Sequence, residues 1–167
     1  EENQEILTKA KKRKNKRQKK STITRLNKDE ISVVAKVLDN FALPSSLENW
    51  QNAVLQSNGH VFVPALDPDL LTELHVLNNG VELGLLKKKR FEPSHQLAEV
   101  LGQKEQKQLI NFEDKADYER YIHGETIKVD SNLRGFVLVA YQDHIFSFGK
   151  IGNDQILKNF YPKGLRK

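Results

Sequence analysis

Apolar residues recur first at the spacing of a helix face. Ile31, Val34, Val37, Leu38 and Phe41 stand three or four positions apart, and Asn27 or Asp29 ahead of them can accept the orphan N–H groups of a first turn. The spacing predicts a helix from about residue 28 to 42, stopped by Pro44 and the serines that follow. A short helical turn is expected around Leu47 to Trp50, with Trp50 in the core.

The period then changes to two. Ala53 to Gln56, Ser57-Asn58-Gly59 and His60 to Val63 predict a hairpin, because an Asn-Gly pair tolerates the positive dihedrals of a tight turn. Asp67 to Leu71 predicts one helical turn. Leu74 to Leu77, Asn78-Asn79-Gly80 and Val81 to Lys88 predict a second hairpin. Ser94 caps a helix over His95 to Leu101 that Gly102 ends. Lys104 to Gln108 is polar and has no evident pattern, whereas Ala116, Tyr118, Tyr121 and Ile122 predict a helix over 113–122 that ends at His123-Gly124.

The last forty residues are the most strand-like. Thr126 to Val129, Gly135 to Tyr141 and His144 to Lys150 are rich in branched and aromatic residues, with Gln142-Asp143 as a turn. Gly149 and Gly152 suggest a bulge or corner, and Gln155 to Asn159 a final short strand. Many short strands with few helices imply a small barrel. Helices in the first part of the chain and strands throughout give an expected fold class of α+β.

Charge changes this picture at one place. Residues 9–20 (KAKKRKNKRQKK) hold nine Lys or Arg and no acid, and setting them aside leaves 18 basic residues against 22 acidic ones in a chain whose net charge is +5. Such a run repels itself and has nothing to bury, so a disordered or helical basic segment is expected there. It serves either as a phosphate-neutralising strand or as a solubilising linker. Methionine is absent, position 1 included, so the chain is expected to be a piece of a longer product. No apolar run approaches the roughly 20 residues of a membrane span, and a soluble, cytoplasmic protein without membrane contact is expected.

Candidate chemistry is sparse. The chain has no cysteine, which excludes disulfides, thiolate metal sites and a thiol nucleophile. The five histidines are scattered without ligand spacing, and neither a phosphate-cradling glycine loop nor a serine elbow occurs. Catalytic residues and a metal are therefore not expected. What remains is basic residues interleaved with aromatics. Lys150, Lys158, Lys163 and Arg166 flank Phe160 and Tyr161 near the C-terminus, an arrangement in which ammonium and guanidinium groups hold phosphates while a ring, Tyr161 here, stacks on a base. The bland alternative makes both rings core and the lysines a solvated rim. A second cluster runs from Lys87 to Arg90 before Phe91; if it continues a strand, alternate members such as Lys88 and Arg90 share one face.

At these two clusters the sequence resembles a known family. LGLLKKKRFEPSHQLAEVL, from Leu83 to Leu101, and FSFGKIGNDQILKNFYPKGLRK, from Phe146 onward, resemble the C-terminal region of bacterial RsmF-type Nop/Sun-family ribosomal RNA cytosine-5 methyltransferases. His123-Gly124-Glu125 is similar to the family's entry into its last domain. The resemblance implies a basic linker over 1–26, a first C-terminal α/β domain over 27–112 and a PUA-like RNA-binding domain over 113–167. It also implies a preceding catalytic domain, outside this sequence, that binds S-adenosylmethionine and supplies a cysteine nucleophile. The implied partners are ribosomal RNA or the small ribosomal subunit and the catalytic domain of the same polypeptide, with a monomer expected.

Two other roles fit the same residues. The domains could act as a scaffold that packs on the catalytic domain and orients it, which requires exposed apolar patches. Alternatively, the chain could be a free-standing PUA-like protein associated with the ribosome.

Overall fold

A computed structural model describes residues 23–64 and 80–166. The basic run at 9–20, the turn expected at Asp67 to Leu71 and the strand expected at Leu74 to Leu77 lie outside the described residues.

The chain enters through β1 (Thr24–Arg25) and α1 (Lys28–Leu38), then continues through β2 (Val54–Leu55), β3 (His60–Val63), β4 (Val81–Lys87), β5 (Arg90–Pro93) and α2 (His95–Leu101). Asn27 opens α1 as expected. Its side chain accepts from the Glu30 N–H at 2.8 Å, and the Glu30 carboxylate accepts from the Asn27 N–H at 2.9 Å, a reciprocal capping box. The helix stops four residues short of the expected end. Asp39 is its C-cap, and the Asn40 amide donates to the Lys36 and Val37 carbonyls, satisfying groups that a further turn would otherwise occupy. Phe41 is nevertheless buried, because the turn folds it inward.

The five strands of this first sheet follow chain order, each antiparallel to the next. The hairpin around Asn58-Gly59 is present, with Val54 opposite Phe62. Strand β4 hydrogen-bonds to β3 on one edge and β5 on the other, and its expected pairing with Leu74 to Leu77 falls outside the described residues. Trp50 is buried, within a short 3₁₀ turn at Trp50–Asn52 that follows another at Ser45–Leu47.

The second sheet is built from β6 (Leu109–Phe112), β7 (Ile127–Lys128), β8 (Gly135–Tyr141), β9 (His144–Ile151) and β10 (Ile156–Asn159), in the order β6-β8-β9-β10-β7. It curls into a half-barrel filled by α3 (Lys115–His123), so the expected α+β class with a PUA-like barrel is observed. Strand β6 was not expected from the sequence. Leu109-Ile110-Asn111-Phe112 is short and follows a polar stretch, and its partner is the parallel strand β8, which begins more than twenty residues later. The half-barrel therefore takes in residues ahead of the expected boundary at 112/113.

The β8–β9 turn places Gln142 and Asp143 at φ 48° and 66°, a left-handed pair that matches the right-handed twist of the hairpin. Asn111 of β6 fixes it: the Asn111 amide donates to the Asp143 carboxylate at 2.7 Å, and the Asp143 N–H donates back at 3.2 Å. Gly149 does not mark a bulge; the register shift lies at Val139/Ala140 instead. Gly149 is needed for close approach, since a Cβ there would stand 2.5 Å from the Leu157 side chain and 2.8 Å from the Tyr121 hydroxyl.

Two large apolar clusters, beside a small one at Val54 and Phe62, hold the described residues together. Tyr121, Val137, Val139, Ile151 and Leu157 fill the half-barrel. The other joins the two sheets: Val34, Leu38, Trp50, Leu97 and Leu101 pack with Phe136, Leu138 and Phe148 on the outer face of the half-barrel. Phe41 meets Phe148 edge-on, with ring centroids 5.7 Å apart.

Candidate nucleic-acid interface

Strand register decides which basic side chains meet. Lys158 of β10 is directly opposite Lys150 of β9, and Lys150 is opposite Phe136 of β8, so the three project from one face of the sheet. Ile156, two residues before Lys158, pairs with Lys128 of β7, which brings a third lysine to that face. All three lysines are exposed, and among the described residues none is in ion-pairing distance of a carboxylate. The Lys150 ammonium lies 5.0 Å from the centre of the Phe136 ring, a cation–π distance. Phe160 stands edge-on to Phe136 at 5.1 Å. The result is a basic row over a floor of two phenylalanines, on the outside of the half-barrel.

The other expected residues are distributed differently. Lys163 is exposed at the start of a 3₁₀ turn, Lys163–Leu165, that follows β10 in the chain. Arg166 is committed to structure: its Nε donates to the Tyr161 carbonyl at 3.2 Å, and its guanidinium reaches the Asn159 side chain at 3.5 Å and packs over Gly124. Asn159 in turn donates to the Tyr121 and Glu125 carbonyls, tying the tail to the C-terminal end of α3. Tyr161 is half-buried and turns away from the row, its ring edge-on to His95 and to Phe146 at 6.0 Å. The ring beside the lysines is thus Phe136 with Phe160, not Tyr161. Alternation along Ile156 to Phe160 could have put Lys158 and Phe160 on one face, but Lys128 and Phe136 enter through register that no local pattern carries.

Lys88 and Arg90 belong to the first sheet. Lys88 and Lys89 form the two-residue turn of the β4–β5 hairpin, with Lys87 opposite Arg90. Strand alternation therefore does not extend through Lys88. Lys87 pairs with Glu92 at 3.3 Å, while Lys88, Lys89 and Arg90 are exposed at the tip.

Tyr161 lines a cavity of about 420 Å³ between α2, α3 and the β8–β9 turn. Its walls include His95, Glu99, Tyr118, Asp143 and Phe146. Among the described residues no group of three or more His, Asp or Glu is placed to hold a metal ion.

Two family models match the chain. Residues 39–101 match the first C-terminal domain of RsmF rRNA methyltransferases, and residues 113–167 match the PUA domain of methyltransferase RsmF. This chain belongs to the RsmF family. Ribosomal RNA small subunit methyltransferase F of Vibrio vulnificus, in strains YJ016 and CMCP6, is 27% identical to it over 154 residues. That match covers 90% of this chain and 31% of each relative, so the chain spans about a third of the length of the curated relatives it matches. In RsmF terms, the basic row lies wholly within the PUA match and the Lys88–Arg90 tip within the other. The cavity straddles them, with His95 and Glu99 on one side and Tyr118, Asp143 and Tyr161 on the other.

Proposed function

We propose that this chain is the RNA-recognition part of an S-adenosylmethionine-dependent ribosomal RNA cytosine-5 methyltransferase whose chemistry belongs to a separate catalytic domain. The observation that carries the reading is the row of Lys128, Lys150 and Lys158, exposed and without carboxylate partners among the described residues, over Phe136 and Phe160. Three ammonium groups on one face attract phosphates, and beside them the partly exposed Phe160 ring, backed by buried Phe136, offers apolar surface to a base or sugar. Lys163 extends the row, and the Lys88–Arg90 tip supplies a second, outlying contact. Arg166 supports the fold of the tail rather than the RNA. The absence of cysteine agrees with a nucleophile and cofactor housed outside these domains. The domain division we favour is a basic linker, a first C-terminal domain and a PUA-like domain that already includes β6.

Titration of the purified chain with a ribosomal RNA hairpin tests this. Affinity should fall steeply as salt rises, and Lys150→Glu with Lys158→Glu should weaken binding about tenfold or more and flatten the salt slope by about two. Unchanged affinity in the double variant, or no binding at low salt, would remove the reading. Packing against the catalytic domain as the main role draws less support. Among the described residues, Leu165 is the one large apolar side chain left exposed, at 49%, and a scaffold held by apolar contact needs a wider patch.

A further inference from the structure

The seam cavity differs in chemistry from the basic row. Its volume, about 420 Å³, is in the range of small-ligand sites, which form preferentially between domains. The aromatic walls are held in place. Tyr118 is stacked on Tyr141, centroids 4.4 Å apart and planes 9° from parallel, and is met edge-on by Phe146 at 5.1 Å. Tyr161 is fixed between His95 and Phe146. Among the described residues the charged members of the lining are Glu99 and Asp143, with Gln103 and two histidines beside them and no Lys or Arg. Asn111 orients the Asp143 carboxylate. The Nδ1 of His95 is buried without a hydrogen-bond partner among the described residues.

Carboxylates repel phosphate, so the row and the cavity select different parts of a nucleotide. A flat, neutral ring suits aromatic walls, and a ring bearing an amine gives Glu99 and Asp143 a donor to accept from. The two surfaces are close along the chain: Lys158 and Tyr161 are three residues apart, and Lys163 follows two residues later. A strand whose phosphates follow Lys150, Lys158 and Lys163 carries a base to the mouth. We propose that the cavity is a subsite for one unstacked nucleobase with an exocyclic amine; the proposal relies on the RNA-binding reading for the source of that base. A cationic side chain also suits rings and carboxylates, but the neighbouring ammonium row disfavours its approach.

The test is an NMR titration of the whole 167-residue chain with neutral nucleosides at millimolar concentration, following the ring signals of His95, Tyr118 and Tyr161. Cytidine and adenosine should shift these signals, and uridine, which has a carbonyl in place of the exocyclic amine and only its N3–H to donate, should bind about fivefold more weakly, the value of one hydrogen bond. Glu99→Gln, at an exposed side chain, should reduce that preference. No shift with any nucleoside, equal binding of uridine and cytidine, or shifts with N-acetyl-arginine amide alone would overturn the proposal. Because nucleosides carry no phosphate, such a failure leaves the lysine row standing. Loss of hairpin binding on titration, with nucleoside shifts intact, would instead remove the row.

Discussion

Tyr121 ties α3 to two strands through one hydroxyl. It donates to the Phe148 carbonyl at 2.6 Å and accepts from the Phe160 N–H at 3.3 Å. Burial pushes its pKa up to about 12, against the Phe160 N–H, the Ser147 hydroxyl and the Arg166 charge, which pull the other way. The folded chain then keeps a proton that the unfolded chain loses above pH 10. Stability from this group is complete below pH 10 and declines as pH rises toward 12, by about 3 kcal/mol over that window. Urea unfolding at pH 9 and pH 11.5 should show this decline in the native chain and a smaller one in Tyr121→Phe. At neutral pH the same variant should lose about 1–2 kcal/mol, because the Phe160 N–H is left without its acceptor. Equal alkaline losses in the two proteins would mean that other groups dominate.

Helix α1 depends on its first turn. Asn27 and Glu30 satisfy each other's backbone donors, and Asp29 and Glu30 face the positive end of the helix dipole. Asn27→Ala should destabilise the chain by about 1 kcal/mol, readable as a lower thermal midpoint, whereas Asn27→Asp should be nearly neutral. A midpoint unchanged by Asn27→Ala would mean that packing of Val34 and Leu38 alone holds the helix. Strand β6 depends on the opposite kind of information. Its four residues have no local signature, and the parallel partner that defines them is β8, so only the folded sheet makes them a strand.

The two matched domains share a core. Phe41, Leu97 and Leu101 from the first pack with Phe136, Leu138 and Phe148 from the second. Cores joined in this way unfold together. Far-UV and near-UV melting curves should coincide, and Phe41→Ala should lower both by the same interval, with a loss of about 3–5 kcal/mol. Two separated transitions, with only one moved by the substitution, would refute a common core.

Local signals were strong wherever one chain segment carries all of its own determinants. The Asn27 cap, the Asn58-Gly59 turn, the Ser94-capped helix, α3 with Gly124 in the left-handed conformation at its C-cap, and the β8–β9 hairpin were all legible from spacing and turn chemistry. The pair Lys150 and Lys158 was legible as composition but not as geometry. Their meeting, the inclusion of Lys128, the substitution of Phe136 for Tyr161 as the neighbouring ring, and the diversion of Arg166 into an intramolecular clasp all follow from register between strands remote in sequence. Residue types and periods act within a few positions, so sequence determined the elements other than β6 and the chemistry on offer. Pairing across the half-barrel acts over many, and it alone decided which charges share a face and that a cavity lies between α2 and the β8–β9 turn.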